Sequence, residues 1–297
     1  MEKEKTLLFF YPEDKIALSF SAVIILIQIY YFITGVLKDV LHIFIPIIAL
    51  LVLFLFINIQ RKRDSTSLKF LRSYLHIPLY GIIFTAFQTF VHKINPTDYD
   101  SLLLNADLAL FRLDITRWLE LYISKVLTEV LTLSYFSYYI LPTLTFVIFY
   151  FAKNTDSFIR TRDYLLAIVI GWYGAFIFYI ILPAAGPDID FPEHYSIPLV
   201  GLSPLTNAYL QNLSHYLKES FVRNTFPSMH FGIILITNYF AFRYKRKYFW
   251  LCTLPSGSLL GIATMYLRQH YLIDLIGSFP VAFISIYLAL KLNKKFD

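Results

Sequence analysis

The sequence of 297 residues has few of the residues that crosslink small secreted domains or keep a protein soluble. It contains a single cysteine, Cys252, which excludes a disulfide within the chain and any cysteine-based metal site. Only 15% of its residues are charged, whereas 57% are hydrophobic. Because a soluble domain of this size could not bury so much apolar surface, the composition indicates an integral membrane protein.

Long runs without charge divide the whole chain. Each has about the 20 residues that a helix needs to cross the ~30 Å hydrocarbon core. Seven runs are uncharged and an eighth is interrupted by Asp274: 16–37, 40–60, 73–92, 130–152, 164–187, 224–242, 248–267 and 269–290. The pattern predicts an all-α, polytopic membrane protein with about eight transmembrane helices. We interpret residues 1–72 as an accessory N-terminal two-helix region and residues 73–297 as a six-helix core.

Lysine and arginine are concentrated in alternate loops of this predicted topology. Five lie in 61–72, three in 153–162 and four in 243–247, whereas the long 93–129 loop has four that are outnumbered by six acids. Positive loops face the cytoplasm, so both termini are predicted to be cytoplasmic. The net charge of +6 therefore reflects membrane topology, and we expect no nucleic-acid partner.

Three polar stretches fall on the opposite, non-cytoplasmic face in this topology. They are LPAAGPDID at 182–190, FPSMH at 226–230 and LRQHYLID at 267–274. A fourth feature of that face is the segment 115–130, whose apolar residues follow a 3.6-residue period. That segment predicts one amphipathic helix, which either lies along the interface or packs on the core.

His270 and Asp274 are four residues apart, which places them on one face of a helix. An ionisable group inside an apolar helix usually needs a partner. A carboxylate that accepts a hydrogen bond from one imidazole nitrogen leaves the other nitrogen free to attack, as in a nucleophilic histidine. The alternative is a polar pair that only ties two helices together.

His230 follows Pro227 and Ser228, where the pattern predicts the first turn of a helix. The free amides of a helix N-terminus bind anions, and a serine hydroxyl can assist them. Arg268 and Arg223 are candidate cations for a phosphate, because guanidinium matches phosphate oxygens with a fixed fork of donors. A second histidine beside the phosphate could protonate a leaving alcohol.

These motifs together resemble a known family. F-P-S-M-H at 226–230, followed about 40 residues later by H-Y-L-I-D at 270–274, resembles the type 2 phosphatidic acid phosphatase superfamily. The chain is more similar to the branch that contains the inositol phosphorylceramide synthases. NADLALFRLD at 105–114 and LPAAGP at 182–187 also look like that branch, and the resemblance covers roughly residues 75–290.

The resemblance implies a role for each matching residue. His270 would be the nucleophile that forms a phosphohistidine, and Asp274 would orient it. His230 would be the acid and then the base for the leaving and entering alcohols, and Ser228 would help to bind the phosphate. The chemistry implied is a ping-pong phosphoryl transfer that uses no metal ion or other cofactor.

The sequence also departs from the signatures of this superfamily, which are usually K-x6-R-P, P-S-G-H and S-R-x5-H-x3-D. No K-x6-R-P is present, and Gly186 and Pro187 stand in that region. Thr264 stands six residues before His270, where the third motif has its arginine. Arg268 is the candidate replacement.

The leading hypothesis is a membrane phosphotransferase that moves a phosphorylated head group, such as inositol phosphate, from a phospholipid donor to a lipid alcohol. Its active site would lie on the non-cytoplasmic face of the bilayer. Asp188, Asp190 and Glu193 could hydrogen-bond a polyol head group, or they could belong to a solvated loop. The alternatives are a lipid phosphate or polyprenyl pyrophosphate phosphatase, and a transporter. A transporter site is expected near the bilayer midplane, whereas the polar residues here lie at one surface.

Overall fold

The computed structural model describes residues 10–63, 65–153, 156–219 and 222–294, and over these residues the chain is helical without a β-strand. The α-helices are α1 Pro12–Ile33, α2 Leu41–Lys62, α3 Thr66–Tyr74, α4 His76–Gln88, α5 Val91–Ile94, α6 Asp100–Phe111, α7 Ile115–Leu119, α8 Lys125–Tyr150, α9 Ser157–Ile181, α10 Pro187–Asp190, α11 Pro204–Glu219, α12 Met229–Tyr244, α13 Arg246–Tyr248, α14 Leu254–Tyr266 and α15 Leu272–Asn293. Short 3₁₀ turns occur at Glu120–Tyr122 and Pro192–His194, and a π-helical stretch at Phe249–Thr253.

The prediction of an all-α, polytopic membrane protein is confirmed. Within the described part of the chain, six helices are long and apolar enough to cross a membrane: α1, α2, Thr66–Ile94, α8, α9 and α15. They account for six of the eight predicted spans. The other two runs fold as α12 and as the segment from α13 to α14.

The reasons for the two shorter helices are local. Ser228 is the N-cap of α12, where its hydroxyl accepts a hydrogen bond from the amide of Phe231, so the helix begins at Met229 instead of residue 224. With 16 residues, α12 is about 24 Å long at 1.5 Å per residue. The second run is interrupted by the π-helical stretch before Leu254.

The prediction of one amphipathic helix over 115–130 is wrong. Helix α7 ends at Leu119, and α8 begins only at Lys125. Ser124 separates the two, because its hydroxyl accepts from the amide of Leu127 and caps α8. Serine competes for backbone hydrogen bonds in this way, which a periodic apolar pattern does not reveal.

Helix α9 is the centre of the bundle. In an 18-residue apolar stretch of α9, 67% of the residues are buried, whereas only 22% are buried in the corresponding stretch of α2. It packs against α15, α12, α1 and α8. Stacked aromatic pairs join it to α4, with ring centroids 4.3 Å apart for both Tyr80–Trp172 and Phe87–Phe176. Helix α9 therefore connects the helices that carry the polar motifs.

The basic loops lie together at one end of the bundle, which we call the inner end. There the Tyr150 hydroxyl donates to the carbonyl of Thr66, and the Asn293 amide donates to Asp163 at 2.7 Å. The connections at 95–124, 182–203, 222–228 and 267–271 lie at the opposite end, which we call the outer end. The connections therefore alternate between the two ends, and the assignment of the inner end to the cytoplasm stays a prediction.

Helix α1 is tied to the core at the inner end by buried ion pairs. Asp14 pairs with Arg72 and, at 3.0 Å, with His76, and Glu13 pairs with Arg162 at 3.1 Å. Helix α1 also packs against α9 and α4. The proposed boundary between residues 72 and 73 falls inside α3, and the division into an accessory region and a core stays a prediction.

Candidate active site

Two histidines and an aspartate form a continuous chain of contacts at the outer end. Nδ1 of His270 is 3.3 Å from Oδ2 of Asp274, and Nε2 of His270 is 3.3 Å from Nδ1 of His230. His270 is 4% exposed, and Asp274 is fully buried. The structure therefore brings together the three residues to which the sequence assigned the chemistry.

The two histidine motifs are joined directly to each other. The amide of Ser228 donates to the carbonyl of Asp274 at 3.1 Å. The hydroxyl of Ser278, one turn further along α15, donates to the carbonyls of both Ser228 and Asp274. These bonds hold the N-terminus of α12 against the first turns of α15, which is why residues 40 positions apart can place their imidazoles in contact.

The first turn of α15 is closed by Asp274 itself. Its Oδ2 accepts the amide hydrogen of Tyr271 at 2.8 Å, in addition to contacting His270. A carboxylate at a helix N-terminus is favoured by the helix dipole. The same aspartate thus fixes the helix start and the imidazole.

Two aspartates that sequence reasoning did not assign hold the loops around the site. Both lie on α6, seven residues apart. Asp100 accepts the amides of Ala185 and Gly186, each at 2.7 Å, and the hydroxyl of Tyr271 at 2.9 Å. Asp107 accepts the amides of residues 272 and 273 at 2.8 and 2.7 Å. Two signals in the sequence could have indicated them: their spacing on one helix face, and the stretch at 105–114 that contains Asp107.

Glycine is required where one of these loops approaches the other. Gly186 has φ +98°, in the left-handed region. A Cβ atom there would stand 2.7 Å from the carbonyl oxygen of Gln269. The LPAAGP stretch therefore packs its backbone directly on the residue before His270.

Arg268 does not extend toward the histidines. Its guanidinium donates to the carbonyl of Ile197 at 2.6 Å and lies 3.5 Å from Glu120. It also stacks on the ring of Tyr195 at 4.2 Å. The residue has φ +59°, and burial lowers the pKa of its guanidinium. Arg268 thus ties an outer loop to the scaffold, and phosphate binding by it stays a prediction.

The other predicted ligand residues also lie outside the immediate contacts of the histidines. The guanidinium of Arg223 pairs with Asp98 at 3.0 Å. The amide of Asp188 donates to the carbonyl of Arg268. Burial, and then the nearby Asp100, raise the pKa of Asp190 to about 6. Head-group binding by Asp188, Asp190 and Glu193 stays a prediction.

A cavity of about 390 Å³ begins at the two histidines and extends between α4 and α8. Its wall on α8 runs from Tyr135 to Thr143, about 12 Å along the helix axis. The described residues that line it are mainly aromatic and aliphatic, and none is Lys, Arg, Asp or Glu: Ile77, Tyr80, Gly81, Phe84, Thr85, Tyr135, Tyr138, Tyr139, Pro142, Thr143, Trp172, Tyr179, Ala185, Leu213, Val222, Asn224, Thr225, Met229, His230, Gln269 and His270. Polar amides and hydroxyls occur at the outer mouth, at residues 224, 225 and 269.

Two tyrosines of α8 surround His230. The hydroxyl of Tyr135 is 3.0 Å from Nε2 of His230, and the ring of Tyr138 has its centroid 4.5 Å from the imidazole. The hydroxyl of Tyr138 instead accepts from the indole of Trp172 at 3.2 Å. No motif in the sequence marks either tyrosine. Both lie in a helix that is rich in other aromatic residues, and both are 92 or more residues before His230.

The electrostatics of the site favour a neutral nucleophile. Burial lowers the pKa of His270 well below the ordinary value of 6.5, and the neighbouring His230 lowers it further. A neutral imidazole keeps one nitrogen lone pair, and Asp274 occupies the other side of the ring. The arrangement can therefore attack an electrophile that enters the cavity at Nε2 of His270.

Comparison with known proteins gives two matches. A family model described as the PAP2 superfamily matches residues 102–288. A PA-phosphatase related-family protein of Dictyostelium discoideum is 25% identical over 183 residues, a match that spans 54% of this chain and 31% of that protein. No solved structure matches the chain. The matched region contains His230, His270, Asp274 and Asp107, whereas Asp100 lies two residues before it.

Proposed function

The chain belongs to the PAP2 superfamily, and on that premise we propose that it is a metal-independent phosphotransferase of the membrane. It would move a phosphorylated head group, such as inositol phosphate, from a phospholipid to a lipid alcohol. The observation that carries the proposal is the contact of His230 with His270, which is backed by Asp274, at the end of an aromatic-lined cavity. Superfamily membership supports phosphoryl chemistry; the transfer step is the proposal.

In the first half-reaction, Nε2 of His270 attacks phosphorus while Nδ1–H donates to Asp274. The bond from nitrogen to phosphorus forms, and the bond from phosphorus to the leaving alcohol oxygen breaks. His230, which takes up a proton at Nε2 when the anionic substrate binds, gives its Nδ1 proton to that oxygen and is left as the neutral Nε2–H tautomer. A phosphohistidine that carries the head group, and a free lipid alcohol, are the products.

In the second half-reaction, the acceptor alcohol occupies the position that the leaving alcohol vacated. His230 takes the proton of the acceptor hydroxyl at Nδ1, and the acceptor oxygen attacks phosphorus. The bond from phosphorus to His270 breaks, and both histidines return to their starting protonation. No proton is gained or lost over the cycle.

The anionic phosphoryl oxygens would face the N-terminus of α12, where Met229 and His230 line the cavity. The free amides and the dipole of a helix start favour an anion at that position. Ser228 caps this helix, so its proposed part in phosphate binding is to hold the amides in place. A phosphodiester carries only one negative charge. It therefore suits a cavity whose described lining residues include no lysine or arginine.

The cavity wall supports a lipid alcohol as the acceptor. Tyr80, Phe84, Trp172 and Ile77 present apolar surface below the histidines, which favours a hydrocarbon chain over water. The printed name of the Dictyostelium relative favours the alternative, a lipid phosphate phosphatase in which water accepts the phosphoryl group. The same phosphohistidine serves both reactions. The proposed site faces the non-cytoplasmic side, in agreement with the basic loops of the inner end.

The test is product analysis with purified protein in detergent, in the presence of EDTA. Radiolabelled phosphatidylinositol and phosphatidic acid are supplied with and without ceramide or diacylglycerol. A new labelled lipid that requires the added alcohol supports the transferase. Inorganic phosphate as the only labelled product, whatever alcohol is added, would establish the phosphatase and exclude head-group transfer.

A further inference from the structure

The hydroxyl of Tyr135 makes a buried contact with the histidine that handles the leaving alcohol. Tyr135 is 3% exposed, and its oxygen is 3.0 Å from Nε2 of His230. Its ring centroid is 4.9 Å from the imidazole. His230 therefore has a polar partner on each side: His270 at Nδ1 and Tyr135 at Nε2.

We propose that Tyr135 is a positioning residue that holds the imidazole of His230 at Nε2, so that Nδ1 stays directed at the reacting atoms. This inference rests on the proposed phosphotransfer for its consequence in catalysis. The hold on the ring, and the tautomer of the substrate-free protein, can be measured without substrate.

The tautomer follows from the direction of the hydrogen bonds. Ionised Asp274, which accepts the amide of Tyr271, can only accept from His270 as well, so Nδ1 of His270 carries the hydrogen. Nε2 of neutral His270 is then an acceptor, and Nδ1 of His230 must donate to it. Nε2 of neutral His230 is left as an acceptor, which the hydroxyl of Tyr135 satisfies.

The opposite direction leaves one more buried hydrogen without an acceptor, while in both directions Oδ1 of Asp274 has no hydrogen-bond partner among the described residues. It would require a protonated Asp274 and would make the Tyr135 oxygen an acceptor from Nε2–H of His230. The hydroxyl hydrogen of Tyr135 would then point away from His230, which is the hydrogen-bond partner of that hydroxyl among the described residues. Buried polar hydrogens without an acceptor are rare, so the direction that starts at ionised Asp274 is favoured.

Tyr135 also holds His230 when the substrate breaks its other contact. A phosphoryl group cannot fit between two nitrogens 3.3 Å apart, so its entry must replace the bond between His230 and His270. The contact with Tyr135 is on the far side of the ring and can persist. A phenol hydroxyl donates to neutral His230 and accepts from Nε2–H of the imidazolium, so it fits both protonation states.

The experiment uses full-length protein labelled with ¹⁵N in the histidine rings, with the His230 signals assigned by loss in His230→Gln. Imidazole ¹⁵N shifts distinguish the Nδ1–H from the Nε2–H tautomer. We expect Nδ1–H at His230 in the wild type, and broadened or doubled His230 signals in Tyr135→Phe, because the ring is no longer held at Nε2. A wild-type spectrum that shows Nε2–H at His230 would overturn the inference without any variant at Tyr135.

Tyr138→Phe is the matched control, because its ring contacts the same imidazole while its hydroxyl bonds to Trp172. It should keep the His230 tautomer of the wild type. Equal spectra for Tyr135→Phe and the wild type would contradict the inference, since the hydroxyl would then not hold the His230 ring.

Kinetics complete the test. Tyr135→Phe should lower kcat by roughly 10- to 100-fold, the factor expected when a buried ring nitrogen loses its hydrogen-bond partner, with KM little changed. Changed His230 signals with an unchanged kcat would remove Tyr135 from the reaction. A wild type with the Nδ1–H tautomer and no transfer to any alcohol would instead count against the proposed function and leave the tautomer assignment standing.

Discussion

Buried carboxylates occur at both ends of the helix bundle, but they bind different partners. At the inner end, Asp14 and Glu13 pair with the guanidinium groups of Arg72 and Arg162. The ring of Tyr11 lies between these two cations, 3.9 and 4.1 Å from them. Each carboxylate at the inner end is therefore neutralised by a guanidinium group. These ion pairs join helices α1, α3 and α9.

At the outer end, Asp100 and Asp107 accept backbone amides from the loops that flank the histidines. Glu120 does the same for residues 196 and 197, and it also lies 3.5 Å from the guanidinium of Arg268. These acceptors fix the position of the main chain without bringing a cation to the cavity. The inner carboxylates therefore join helices to one another, whereas the outer carboxylates position the loops around the candidate site.

The variant His270→Ala should show the clearest difference between the two ends, because it should affect activity and not stability. We expect head-group transfer to fall by at least about 10³-fold, because the proposed nucleophile is lost. Thermal unfolding in detergent should change little. His194→Ala is the control, since that histidine is also at the outer end but pairs with Glu193. Retained turnover in His270→Ala would contradict the proposed chemistry.

Asp14→Ala should have the largest effect on stability. It leaves Arg72 buried without its carboxylate, and breaking a buried pair costs about 3–5 kcal/mol. The measurement is unfolding in detergent, followed by activity of the fraction that stays folded. Asp39→Ala is the matched control, because Asp39 is 55% exposed in its contact with His42. An unfolding curve like that of the wild type would show that the inner pairs do not hold α1 in place.

Asp107→Ala tests the outer end by removing the acceptor of two amides at the start of α15. We expect a loss of about 1–3 kcal/mol in stability, smaller than for Asp14→Ala. Transfer should nevertheless fall, since the same turn positions Asp274 and His270. Asp107→Asn keeps one acceptor oxygen and should be intermediate. Full activity in Asp107→Ala would mean that the site does not depend on this support.

The pH profile should show the smallest effect. Because burial and His230 lower the pKa of His270, the neutral form persists to lower pH than for an ordinary histidine. The acid limb of kcat/KM is therefore expected below pH 6.5. An acid limb above that value would indicate that the Asp274 carboxylate outweighs burial and stabilises His270 as a cation.

Much of the fold was predictable because it depends on local composition. Uncharged runs located the membrane helices, and the spacing of four residues located His270 and Asp274 on one face. Motif recognition added His230. These inferences required only residues near one another in the sequence, or a pattern already known from a family.

The remaining parts depend on tertiary contacts or local capping. Tyr135 meets His230 across 95 positions, and Asp107 meets Leu272 across 165. Arg268 was a natural candidate for phosphate, but its left-handed backbone and its bond to residue 197 direct it elsewhere. A serine cap at 124 divided a segment that periodicity predicted as one helix.

The most direct test of the central claim is to trap the covalent intermediate. Purified protein is mixed with ³²P-labelled phosphatidylinositol without an acceptor, quenched in alkali and digested, and the label is located by mass spectrometry. We expect an acid-labile, alkali-stable phosphoryl group on His270. The label should disappear when the acceptor alcohol is added, and it should be absent in His270→Ala. Label transfer to the acceptor without any labelled histidine would contradict that expectation, because the donor and acceptor would then react in a single step.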